Sequence, residues 1–226
     1  MNSSRFSLAV VFAGLTFALS APVSATIAVP VDTVAISGLF NTGVDADGNA
    51  LAGNDGVVDS HYTVFSSTIP GVVTGVNAVT YKHPSYVAND ANSRWVSHSS
   101  SGFPGSGTTT FRTIFDLTGL DASTATINGF NAVDNAGTII LNGVATGISL
   151  NGSFGTLAAF SITSGFIAGL NTLDFVVDDF GPPLALRIAG LTGTAQLAAV
   201  PLPASVLMLA PALLGLGALR RKRATA

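Results

Sequence analysis

The chain has 226 residues, no cysteine, and nine basic against twelve acidic residues, for a formal net charge of −3. The lack of cysteine excludes disulfides, thiolate metal sites and thiol catalysis. Mean hydropathy is +0.56, but the two ends inflate it: between residues 26 and 199 only Lys82, Arg94, Arg112 and Arg187 oppose all twelve acidic residues, every one Asp, a net −8. A body this acidic argues against nucleic acid or anionic lipid as a partner and is compatible with divalent cations.

Arg5, an apolar stretch over 8–19 and the small residues Val23-Ser24-Ala25 read as a secretory signal peptide cut after Ala25. A cut after Ala21 would leave Pro22 beside the scissile bond. The mature chain then starts at Thr26, and residues 26–196 form one domain, large enough for a single core.

That body is rich in Thr, Val, Ile, Phe, Gly, Asn and Ser, has one Lys and lacks Glu. This is poor helix material and good strand and turn material. Strands are predicted over 33–40, 62–66 and 76–81, the last ended by His83-Pro84. Residues 108–117 alternate most clearly. Phe111, Thr113, Phe115 and Leu117 share one face, and Arg112, Ile114 and Asp116 the other.

The turn Thr118-Gly119-Leu120-Asp121 leads to a strand over 125–133. Another over 138–141 runs into Asn142-Gly143, a hairpin signal, and Val144 resumes. Further strands are expected over 154–162, 170–177 and 184–194, with a turn of helix over 164–170. So many short antiparallel strands in one domain predict an all-β fold, an antiparallel β-sandwich.

Asp45, Asp47 and Asn49 place oxygens at alternate positions, as a calcium loop does, with Asp55 and Asp59 nearby. The EF-hand pattern fails, because Ala50 and Gly56 stand where Gly and Glu are required. The same residues also suit a solvated Asx-rich turn. Trp95 is the only tryptophan and sits near Tyr86, Arg94, Asn89, Asn92 and His98. An aromatic ring among hydrogen-bonding side chains suits a sugar, whereas a lone Trp also suits a sandwich core. Asp59 and His61 read as an Asp–His pair or as two residues on one strand face, and Asp178-Asp179 as an acidic turn. No nucleophile elbow, zinc-protease motif or phosphate loop is present.

The chain ends with Val200, Pro201, Leu202, Pro203 and Ala204, an apolar segment over 205–219, and Arg220, Arg221, Lys222 and Arg223 within a tail over 220–226. The prolines give a stiff extended segment. The apolar segment, a single transmembrane helix, would span roughly 22 Å, and the basic cluster would stop translocation on the cytoplasmic side. Residues 197–226 resemble the PEP-CTERM class of sorting signals in its VPLPA-CTERM variant. The resemblance implies an exosortase-type processing enzyme as partner and passage through the inner membrane. Its destination would be the cell envelope or extracellular matrix.

A second resemblance lies in the body. Phe111 to Leu120 (FRTIFDLTGL) is followed by Ala125-Thr126-Ile127-Asn128-Gly129, then by Asp134-Asn135 and Leu141-Asn142-Gly143. Phe160-Ser161-Ile162-Thr163, Gly165-Phe166 and the run from Gly169 to Val177 complete the series. This looks like a galactose-binding-like jelly roll over about residues 58–192. The resemblance implies carbohydrate as a ligand and a structural calcium.

The function expected is a non-catalytic, exported envelope or biofilm-matrix protein that binds exopolysaccharide. The alternatives are a carbohydrate-active enzyme or a plain membrane-anchored surface protein.

Overall fold

The computed structural model describes residues 32–53 and 55–199. Ala25, the 200–204 motif, the apolar segment and the basic tail lie outside the described residues.

Eleven strands make up the described fold: β1 Thr33–Ala35, β2 Val58–Ser67, β3 Val76–Thr80, β4 Val96–Ser97, β5 Gly107–Asp116, β6 Leu120–Asp134, β7 Ala136–Leu141, β8 Val144–Leu150, β9 Ala158–Ile162, β10 Leu170–Asp179 and β11 Ala185–Leu197. Among the described residues there is no helix, and every strand pairing is antiparallel. The all-β, antiparallel expectation holds.

The strands form one hydrogen-bonded path, β8-β7-β10-β5-β2-β3-β4-β11-β6-β9, with β1 beside β11. The path curls so that its halves face each other across a core. Phe160 of β9 meets Phe175 of β10 edge-on, ring centroids 6.2 Å apart. Alternation sets the faces, as the period of two requires. On β5, Phe111 and Phe115 are buried while Ile114 is 53 % exposed. Arg112 faces outward and pairs with Asp174 directly across on β10, with Nε–Oδ1 at 2.6 Å and Nη2–Oδ2 at 2.7 Å. The Asn142-Gly143 hairpin forms, both residues at positive φ (53° and 78°), as a type I′ turn demands.

Three local expectations change. The first strand stops at Ala35 rather than Phe40, because Gly38 takes φ +84° and breaks the extended run. Residues 164–170 form no helical turn. Asn171 binds their backbone instead, accepting from Ile167 N (2.9 Å) and donating to the carbonyls of Ile167 and Gly169 (both 2.8 Å). The strand expected over 154–162 starts at Ala158, because Asn151 folds the preceding residues into a turn through Ser153 N (3.2 Å) and Thr156 O (2.9 Å).

Beside the main core lies a smaller apolar cluster of Tyr81, Tyr86, Trp95, Ala132 and Ala185. It sits under the loop that joins β3 to β4, and the candidate site is built on that loop.

Candidate functional site

The β3–β4 loop has no secondary structure, so its backbone polar groups need partners elsewhere. Arg187 of β11 supplies many of them. Its side chain is 1 % exposed, yet carries a charge. It donates to Ser93 Oγ from Nε (3.1 Å) and Nη2 (2.9 Å), to Val87 O (3.4 Å) and Ala88 O, and to Asp90 Oδ2 at 2.6 Å. Burial lowers the Arg187 pKa more than Asp90 restores it, but guanidinium stays protonated from so high a starting value. At Asp90, burial opposes ionisation. The amides of Asn92 and Ser93 and the Arg187 charge outweigh it, so its pKa falls.

Further bonds pin the loop. Trp95 Nε1 donates to Val87 O at 2.8 Å, and Asn89 Oδ1 accepts from Trp95 N at 2.9 Å. Val87 N reaches Phe154 O at 2.7 Å, Arg94 N reaches Thr42 O at 2.8 Å, and Ala50 N reaches Ala91 O at 3.0 Å.

Tyr86 is the centre of an aromatic wall. Its ring centroid lies 4.5 Å from Trp95, 4.9 Å from His83, 5.3 Å from Phe154 and 6.0 Å from Tyr81. Its hydroxyl lies 2.5 Å from Asp134 Oδ2 and 3.1 Å from Pro183 O. Burial, and then the bond to Asp134, push the Tyr86 pKa far above the usual phenol range, so the hydroxyl stays a neutral donor. Asp134 is itself raised, chiefly by burial.

Loop and wall enclose a groove of about 470 Å³. Lys82, Arg94, Asp55 and Asn89 bring polar groups to it, and His83 and Tyr86 bring ring surface. Arg94 Nη1 donates to Gly53 O at 2.9 Å. A second groove of about 420 Å³ runs along the outer face of β2 and β5. Phe40 and His61 stack there, centroids 3.7 Å apart and planes 11° apart, and Arg112 stands 3.3 Å over the Phe65 ring.

The structure brings Tyr86, Arg94 and Trp95 to the first groove. Trp95 is 1 % exposed, so it forms the floor and fills the smaller core rather than offering a free stacking face. Asn92 is exposed and does not line the groove; its amide is held by Asp90 Oδ1 at 2.8 Å. His98 lies beyond β4 and does not line the groove; burial lowers its pKa, opposed by the Phe103 backbone. Lys82 and His83 line the groove although the sequence reading did not place them there. Their signal was present, because Lys82-His83-Pro84 ends β3 where the chain must turn outward.

Of the calcium candidates, Asp45 Oδ1 accepts from Asp47 N (3.0 Å) and Asn49 N (2.9 Å), an Asx turn. Asp59 is fully buried and accepts from Gly43 N (2.7 Å) and His61 N (2.8 Å). Asp55 lines the groove. Among the described residues no three His, Asp, Glu or Cys side chains are placed to hold a metal ion.

Asp59 and His61 do not form a dyad. The carboxylate takes the His61 amide, and the ring Nε2 lies 3.1 Å from Asp45 O. Asp178 and Asp179 end β10 rather than forming an acidic turn: Asp178 accepts from Thr108 Oγ1 across on β5 at 2.7 Å, and Asp179 from Ser106 N (3.0 Å) and Gly181 N (2.9 Å).

No protein-family model matches the chain, and no curated protein matches it. Solved structures do. A cyclase from Fischerella sp. in its apo form is 9 % identical with a TM-score of 0.41, covering 74 % of this chain and 98 % of that one. The CBM36-1 domain of a multidomain xylanase from the hindgut metagenome of Trinervitermes trinervoides is 11 % identical, TM-score 0.28, covering 75 % and 98 %. A Podospora anserina GH26-CBM35 beta-(1,4)-mannanase is 17 % identical, TM-score 0.26, covering 69 % of this chain and 29 % of that one. At these scores the likenesses carry no argument about this chain.

Proposed function

We propose that this chain is an exported, non-catalytic binding protein of the bacterial envelope or extracellular matrix. Its body, a galactose-binding-like jelly roll in this reading, holds exopolysaccharide in the β3–β4 groove. The groove itself carries the reading. It combines the half-buried His83 ring and the Tyr86 ring with polar groups from Lys82, Asn89 and Arg94, on a loop fastened at many points. Sugars present apolar faces and many hydroxyls, and such sites bind them without chemistry when no acid–base pair flanks the ligand.

The test is titration of the full chain, purified in mild detergent, against matrix polysaccharide. Saturable binding with no release of reducing ends is expected. Release of reducing ends, abolished by Asp substitutions, would instead establish the carbohydrate-active enzyme.

Delivery in this proposal rests on the two terminal segments. The signal peptide is cut after Ala25, and an exosortase-type enzyme processes the chain at Val200-Pro201-Leu202-Pro203-Ala204 while 205–219 holds it transiently in the inner membrane. Intact mass of the protein from membrane and supernatant fractions checks this. Masses ending near residues 200–204 are expected, whereas retention of Arg220 to Ala226 in every fraction would leave a plain membrane-anchored protein.

A further inference from the structure

Four basic residues stand between residues 26 and 199, against twelve Asp. Two are paired: Arg112 binds Asp174, and Arg187 binds Asp90, each at 2.6 Å. Among the described residues, Lys82 and Arg94 have no carboxylate partner, and both line the same groove.

Chance placement on an acidic surface would put a lone cation near the excess of Asp. Here two unpaired cations share one concavity, with Asp55 as the single carboxylate among the lining residues. The groove is thus locally positive on a negative body.

Arg94 is also incompletely satisfied. One N–H reaches Gly53 O at 2.9 Å, and its buried Nε has no hydrogen-bond partner. A guanidinium left with spare donors beside a flexible ammonium suits a carboxylate or sulfate oxygen, since Arg binds such groups through a planar fork and Lys as a point charge.

We infer that the groove selects an acidic saccharide, one bearing carboxylate or sulfate groups, with Lys82 and Arg94 as the anion-binding side chains and the His83–Tyr86 wall against the sugar ring. This rests on the carbohydrate-binding reading and narrows it. The body's net −8 repels acidic polymer at long range, so binding depends on a short-range match at these two cations rather than on general attraction.

The experiment measures binding of the full chain to polygalacturonate, dextran sulfate and neutral dextran by calorimetry, for the native protein and for Lys82→Gln, Arg94→Gln and Arg94→Lys. Binding to one or both acidic polymers, with dextran at least about tenfold weaker, is expected, and the two arms tell carboxylate from sulfate. Each Gln variant should weaken acidic binding about tenfold, and Arg94→Lys should recover part of the loss. Lys82 is exposed and forms no ion pair among the described residues, so its variant stays informative if Arg94→Gln unfolds. Equal binding of dextran, or acidic binding untouched by Lys82→Gln, would overturn the acidic preference and leave carbohydrate binding standing. Binding of none of the three polymers would overturn both.

Discussion

Arg187 is a charge inside the fold, and its burial is sustained by five acceptor contacts on one loop. Removing it takes two donors from the fully buried Ser93 Oγ and one from the Ala88 carbonyl, leaving Ser93 with Asp90 Oδ1 at 3.2 Å and Val87 O with Trp95 Nε1. Arg187→Met keeps most of the volume but none of the donors. A loss of about 3 kcal/mol in urea unfolding is expected, toward the low end for a broken buried pair because the Asp90 side chain is 51 % exposed and can hydrate. Trp95 is the only tryptophan and bonds Val87 O, so its fluorescence reports directly on the loop. A red shift should accompany the loss; an unchanged spectrum and midpoint would show that the loop does not depend on Arg187.

Asp59 makes a second residue-scale case, through pH. Burial raises its pKa above the ordinary 3.8, outweighing the amides of Gly43 and His61. The folded state then binds a proton that the unfolded state has released. Its stabilising contribution is complete below about pH 3.8 and is lost as pH rises through the raised folded value. Asp59→Asn removes that titration, so the stability difference, native minus variant, should shrink as pH climbs from 4. Asp90, Asp116 and Asp121 have lowered values and act below 3.8, outside that window. A difference that grows with pH would reverse the assignment. None of this was visible in the sequence, where Asp59 looked like a metal ligand or half of an Asp–His pair. One of its partners, Gly43 N, comes from beyond the predicted first strand, sixteen residues away in sequence.

Elements were legible where alternation was strong. The 108–117 pattern and the Asn142-Gly143 hairpin both hold, because each depends on residues local to it. The groove was half legible for the opposite reason. Tyr86, Arg94 and Trp95 lie in one stretch, but the bonds that shape them come from Arg187, Phe154 and Thr42, far away in sequence. Glycines separate local from tertiary demands in the same way. At Gly137 on β7, an added Cβ would run into the Val176 carbonyl oxygen of β10 and the Leu150 side chain. At Gly143, a Cβ meets nothing within 4 Å, and only φ +78° disfavours it. Gly143→Ala should cost about 1 kcal/mol, whereas Gly137→Ala should cost about 3 kcal/mol by forcing the β7–β10 ladder apart. Denaturant midpoints of the two variants check the order, and equal losses would mean that β7 relaxes freely.

At the scale of the whole molecule, charge is the dominant asymmetry. Twelve Asp and four cations give residues 26–199 a net −8, and among the described residues only Arg112 and Arg187 are held in ion pairs. Self-repulsion among exposed carboxylates opposes the compact state and is screened by salt within about 10 Å at 0.1 M. Thermal stability should therefore rise by a few degrees when sodium chloride goes from about 0.01 to 0.2 M, with most of the gain at the low end. Divalent ions offer a sharper comparison. Asp45 Oδ1 caps its own turn and Asp59 accepts from two amides, an arrangement that holds together without a cation. Calcium and magnesium at equal ionic strength should then raise the midpoint by the same amount, as screening alone predicts. An extra calcium-specific rise, removed by Asp45→Asn or Asp47→Asn, would show that the 45–49 turn rearranges to bind the ion. The same salt series separates stability from binding. Screening relieves repulsion across the body yet weakens the Lys82 and Arg94 contacts to an acidic ligand, so the folded protein should gain stability while the complex loses affinity.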